Sequence, residues 1–152
     1  LPETLVRLAQ VPNIVAVKEA SGNLEQVSVI CRKLGRSFAV YSGDDILTLP
    51  ILSVGGVGVV SVASHLVGKE IKGMVDAFQA GRVDEAAAIH HQLGPLFKAL
   101  FVTTNPIPVK WAMSLMGIDC GPVRQPLVTP TEAEQATVVA AMEAVGLHPV
   151  MS

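Results

Sequence analysis

Lys18 is the residue of this chain whose type and position could support covalent chemistry. It closes the apolar run Ile14-Val15-Ala16-Val17, which lies between the turn signals Pro12-Asn13 and Ser21-Gly22-Asn23. A short apolar run bounded in this way predicts a parallel strand buried on both faces. An ammonium group in such a place must be paired or give up its proton. A free lysine titrates at about 10.4, and burial that disfavours the cation raises the neutral fraction. A neutral amine beside a carbonyl compound forms an imine. Lys18 is therefore a candidate Schiff-base nucleophile; the competing reading is a strand-end lysine that reaches back to the surface. Glu19 is a poor partner for it, because successive side chains of a strand point to opposite faces.

The remaining reactive residue types offer less. Asp44 and Asp45 follow Gly43 and could hold a cation or a substrate, or cap a helix starting at Ile46. His90 and His91 are neighbours on a helix, so their rings diverge by about 100° and cannot share an ion; a surface or interface role fits them. His65 follows a strand but has no carboxylate or second histidine spaced to help it. Ser42 and Ser61 have no histidine nearby for a hydrolytic triad. Tyr41, the only phenol, sits within a strand, where packing is its default role. Cys31 and Cys120 lack any CxxC or CxxH context, which suggests neither a metal nor a disulfide framework and fits reduced thiols in a cytosol.

These residues sit in a chain of 152 residues that is 50% hydrophobic and only 16% charged, enough for a sizeable core and unlike a disordered segment. A formal net charge of -2, a pI near 6.1 and eleven scattered Lys and Arg residues argue against a nucleic-acid surface. Residues 46–68 contain no Asp, Glu, Lys or Arg. Pro50 and the Gly55-Gly56-Val57-Gly58 turn divide that stretch into helix, turn and strand, so no membrane span is expected. The glycines precede a strand and a third one at the required spacing is replaced by Ser61, so a phosphate-cradling loop is not expected either.

The elements that must position Lys18 follow from periodicity. A helix is expected over residues 2–10, a strand over 14–20, and a helix capped by Asn23 and ended by Gly35. A second strand over 38–42, a short helix over 46–52 and a third strand over 59–63 follow. Alternation with short joins implies parallel βαβ units. From Lys69 the pattern is helical throughout: residues 69–80, residues 83–101 with a break at Gly94-Pro95, residues 106–116 capped by Asn105, and a last helix to Val145 opened by a capping box of Thr129, Pro130 and Glu132. The division expected is therefore 1–81 and 82–152. The sequence opens without Met on a helix ahead of the first strand, so a cut from a longer polypeptide is expected.

Four segments occur in an order that resembles one family. Val17-Lys18-Glu19-Ala20-Ser21-Gly22-Asn23, Ser42-Gly43-Asp44-Asp45, Gly55-Gly56-Val57-Gly58-Val59-Val60-Ser61 and Asn105-Pro106-Ile107-Pro108-Val109-Lys110 are together similar to the second half of the dihydrodipicolinate synthase family of class I pyruvate-dependent lyases. Arg124-Gln125-Pro126-Leu127 resembles a late Arg-Leu-Pro-Leu segment of that family, with Gln125 a departure.

The resemblance implies the sixth to eighth strands of a (β/α)8 TIM barrel, residues 1–81, followed by a small all-helical C-terminal domain, residues 82–152. It makes Lys18 the nucleophile that condenses with pyruvate. The resulting enamine would attack L-aspartate 4-semialdehyde to give 4-hydroxy-tetrahydrodipicolinate, on the diaminopimelate route to lysine. By the same resemblance Val60 lies with its backbone against pyruvate and Gly43 makes a backbone contact near the substrate. No metal or organic cofactor is implied, and the expected whole is a cytoplasmic homotetramer. A threonine pair, a relay tyrosine, a semialdehyde-binding arginine and the pocket for feedback by lysine would all precede the segment seen here, so the chain alone is expected to be inactive. Two alternatives stay open: an N-acetylneuraminate lyase or 2-keto-3-deoxy-sugar-acid aldolase with the same imine lysine, and a non-catalytic assembly module.

Overall fold

The computed structural model describes residues 1–150. They form an α/β structure whose element order is α1 (Pro2–Leu8), β1 (Ala16–Glu19), α2 (Leu24–Leu34), a 3-10 turn (Gly35–Ser37), β2 (Ala39–Ser42), α3 (Thr48–Ser53), β3 (Gly58–Val59), α4 (Ser64–Gln79), α5 (Val83–Ala99), α6 (Ile107–Leu115) and α7 (Glu132–Ala144). The residues group into two compact units, one of residues 1–61 with 74–86 and the other of residues 62–73 with those from 87 onward. The division expected after residue 81 follows the change from mixed to helical elements, whereas the compact units cut through both α4 and α5.

In the first unit the three strands form one parallel sheet in the order β1-β2-β3. Lys18 pairs in register with Tyr41, and Tyr41 with Gly58, so these three residues form one row across the sheet. Helix α2 starts where Asn23 accepts the amide of Gln26 on its side chain (2.9 Å) and stops at Gly35, whose φ of 61° is open to glycine. Its Val27 and Ile30 pack with Val40 and Ile51 into the core, which Val17 and Leu5 extend.

The sheet is covered on one face only, which corrects the expectation of a strand buried on both sides. Val17 and Glu19 face α2 and are wholly or partly buried, while Ala16 and Lys18 are exposed on the other face and Val15 is 63% exposed. The third strand is also shorter than expected. Pairing runs through Val60, whose amide donates to the Ser42 carbonyl (2.8 Å), and ends there because β2 itself ends at Ser42.

In the second unit α6 packs against α7. Helix α5 continues through Pro95 instead of breaking at Gly94-Pro95. One lost amide bond is tolerated there because Leu93, Leu96 and Phe97, on both sides of the proline, are buried. The capping box also lies two residues later than expected. Thr131 is the N-cap, its hydroxyl accepting the Glu134 amide (3.4 Å), and the Glu134 carboxylate accepts the Thr131 amide (2.7 Å). Ile107, not Pro106, opens α6, and Asn105 provides no cap. Helix α4 begins at Ser64, earlier than expected, and is interrupted at Val67 (φ -126°, ψ 38°). Among the described residues no helix is long and apolar enough to cross a membrane.

Candidate functional site

The open face of the sheet carries the candidate residues. Lys18 stands one residue before the carboxyl end of β1, Gly43 directly follows β2 and Val60 directly follows β3. All three are on the uncovered face, since side chains alternate along each strand and Lys18, Tyr41 and Gly58 share a row. Continuing the register by two residues places Ala20, Gly43 and Val60 in the next row toward the carboxyl ends.

Lys18 leans from its own row into that next one. A β-carbon built at Gly43 would stand 3.0 Å from Lys18 Cε, 2.6 Å from Ala20 Cβ and 3.0 Å from the Glu19 carbonyl oxygen. The lysine stem thus occupies space that exists because position 43 has no side chain. Tyr41 does the same one strand further on: a β-carbon at Gly58 would lie 3.2 Å from Cδ1 and Cε1 of its ring. Each side chain leans over a glycine of the neighbouring strand, and Tyr41 packs as expected of a strand phenol. Val60 is 47% exposed beside them.

Lys18 is exposed on this face, and among the described residues no ion pair involves it. The pairing expected of a lysine inside a doubly covered strand is therefore not present. The buried group is its neighbour Glu19, 7% exposed on the helix side of the sheet. Its carboxylate accepts the Ser21 amide (3.1 Å) and the Gln26 side-chain amide (3.3 Å), and its carbonyl accepts the Gly43 amide (2.6 Å). Sequence reasoning weighed Glu19 only as a partner for Lys18 and Gly58 only as part of a glycine turn. The interval of seven residues between Glu19 and Gln26, spanning the turn from strand to helix, was the available signal for the first.

The other candidates do local structural work. Asp44 accepts the Ile46 amide on its side chain (3.2 Å), and its carbonyl accepts the hydroxyls of Ser42 (2.6 Å) and Thr48 (3.2 Å). It shapes the approach to α3, which starts at Thr48 and not at Ile46. Ser42 is fully buried on the far side of the sheet from Lys18. Cys31 is half-buried, and burial pushes its thiol up from the ordinary value, against a smaller lowering by a backbone hydrogen bond. It lines a cleft of about 780 Å³ with Arg32, Arg36, Val57 and Gln79, at the amino ends of β2 and β3, away from Lys18. In the second unit the His65 ring nitrogen Nδ1 lies 2.9 Å from the Val62 carbonyl, and the rings of His90 and His91 are 5.7 Å apart. No group of three or more His, Cys, Asp or Glu among the described residues could hold a metal ion.

A parallel sheet joined by helices, with Lys18, Gly43 and Val60 gathered at the carboxyl ends of its strands, defines an α/β protein whose candidate site lies at that edge. A model of the dihydrodipicolinate synthetase family matches residues 1–145, and the chain belongs to that family. It is 59% identical over 147 residues to the 4-hydroxy-tetrahydrodipicolinate synthase of Cyanothece sp., covering 97% of this chain and 50% of that protein. The crystal structure of DHDPS from Cyanidioschyzon merolae with lysine bound superposes with a TM-score of 0.93 at 53% identity, covering 96% of this chain and 50% of that one. The chloride-inhibited dihydrodipicolinate synthase of Acinetobacter baumannii, complexed with pyruvate, gives a TM-score of 0.91 at 32% identity, covering 96% and 50%. The chain spans about half the length of the relatives it matches.

Proposed function

We propose that this chain is the second half of a Schiff-base lyase that condenses pyruvate with L-aspartate 4-semialdehyde to 4-hydroxy-tetrahydrodipicolinate. The observation that carries the reading is the placement of Lys18 at the carboxyl edge of the sheet, its stem over Gly43 and Val60 beside it, in a member of this family. The Nζ amine adds to the keto carbon of pyruvate and water leaves, giving an imine. Loss of a methyl proton then yields the enamine, whose carbon bonds to the aldehyde carbon of the second substrate while the aldehyde oxygen takes a proton; the amino group of that substrate then adds to the imine carbon, which closes the ring and releases the Lys18 amine. Gly43 leaves the stem room to reach this position, and Val60 walls the space next to it. The carboxylate clamp, the proton relay and the semialdehyde-binding group come from the other half.

The same reading makes β1, β2 and β3 the sixth to eighth strands of a (β/α)8 barrel, residues 1–81, and residues 82–152 its C-terminal helical domain. It also makes the whole protein a cytoplasmic homotetramer. Lys18 lies exposed on the open sheet face, and on this reading the relay and clamp it needs belong to the other half, so the 152-residue chain alone is inactive.

The test is borohydride trapping with pyruvate, followed by intact mass and peptide mapping. It is run on this chain and on a full-length protein made by joining it to the half of the Cyanothece relative that it does not cover. A pyruvate adduct on Lys18 in the full-length protein, absent in K18A, is expected. A folded full-length protein with no adduct on Lys18 overturns the lyase reading; where the adduct forms, aldehyde preference separates this activity from that of other imine-forming aldolases.

A further inference from the structure

Glu19 directly follows the lysine and is tied in two directions. Its carbonyl oxygen accepts the Gly43 amide, so it joins the end of β1 to the glycine that receives the lysine stem. Its carboxylate, on the opposite face, accepts the Ser21 amide and the Gln26 side-chain amide. Gln26 is itself held, for its side chain also donates to Ser21 Oγ (3.3 Å) and its backbone amide to Asn23 Oδ1. The residues after Lys18 are thus fastened to the sheet on one side and to α2 on the other.

A buried carboxylate is a costly way to fill space behind a sheet, and an apolar residue of similar size would pack there without a desolvation penalty. It is not needed to start α2 either, because Asn23 already caps that helix. What the carboxylate does that an apolar side chain cannot is fix the direction in which the chain leaves β1. We propose that Glu19 is a positioning residue for Lys18, holding the strand end through Ser21 and Gln26 so that Nζ meets the keto carbon at a fixed place. The inference rests on the reading of Lys18 as the imine-forming amine. A displacement of about 1 Å at a reacting group can cost up to about a hundredfold in rate.

The full-length protein tests it through the rate of imine trapping at saturating pyruvate, read beside a thermal melt. E19L removes the Oε1 acceptor that the Ser21 amide and the Gln26 side-chain amide share, and trapping is expected to slow about tenfold. E19Q keeps Oε1 as an acceptor for both donors and is expected to trap within about threefold of wild type. A purely structural role would change the melting temperature and leave trapping by the folded protein unchanged. If E19L fails to fold, Q26L decides, because it removes the Gln26 donor and leaves the Ser21 amide bond in place, and it is expected to slow trapping severalfold. Wild-type trapping by folded E19L or Q26L, or trapping by E19Q as slow as by E19L, overturns the proposal while leaving the imine reading intact. Absence of any adduct on Lys18 in the wild-type protein overturns both.

Discussion

Cε of Lys18 lies 3.0 Å from the place a β-carbon would take at Gly43, on the strand that pairs with its own. The glycine is therefore a matter of space and not of backbone conformation. G43A brings the new methyl to 2.6 Å from Ala20 Cβ and forces both Ala20 and the lysine stem to give way. Overpacking of this kind costs about 1–3 kcal/mol, and a displaced lysine lowers imine trapping by at least about tenfold. A20G/G43A removes the tightest of the contacts but not the one to Lys18. It is expected to recover most of the stability in a denaturant melt while trapping stays slow. Parallel recovery of both would show that Gly43 acts through Ala20 alone.

The sequence made Lys18 legible because it ends an apolar run, and α2 legible because Asn23 and Gly35 bracket a clean helical stripe. Which residues of the apolar run α2 covers was not legible. Val15, Ala16 and Val17 read alike as apolar residues, and only the position of α2 decides which of them is covered. Glu19 was hidden for a related reason: alternation puts it behind the sheet, but its partners Ser21 and Gln26 come to it only once the turn is built. The capping box was misplaced because Thr129-Pro130 and Thr131 offer two overlapping starts, and the structure selects the one with Glu134 three residues on. Pro95 was overestimated as a breaker because the burial of its neighbours is a tertiary fact.

His90 supplies a pH-dependent weakness in the second unit. Its Nδ1 is buried without a hydrogen-bond partner, and its ring lies 6.4 Å from that of Phe97. Burial holds its pKa below the ordinary 6.5, and the neighbouring His91 adds to the lowering. The unfolded chain therefore binds this proton more readily than the native one, so stability is fully present above pH 6.5 and is lost as pH falls through the lower native value. H90F removes the titrating group and can pack against Phe97. Its melting temperature relative to wild type is expected to rise as the pH is lowered from 7.5 to 5.5; an unchanged difference across that range would show that His90 does not titrate in this window.

Glu134 gives a second pH dependence, displaced toward more acid conditions. Its carboxylate accepts the Thr131 amide (2.7 Å) and the Thr131 hydroxyl (2.9 Å), and these bonds, the backbone one first, hold its pKa below the ordinary value of 4.5. A depressed carboxylate contributes stability that is present above the unfolded value and is lost as pH falls through the native one. E134Q removes the charge at the start of α7, where it also faces the positive end of the helix dipole. It is expected to melt below wild type at pH 7 and to converge on it under acid conditions. T131A, which deletes the other half of the box, is expected to cost about 1 kcal/mol near neutrality. In the double variant E134Q/T131A the two losses should fall short of their sum, because each single change already breaks the shared bonds. Strict additivity in melts of all four proteins would show that Thr131 and Glu134 stabilise α7 independently.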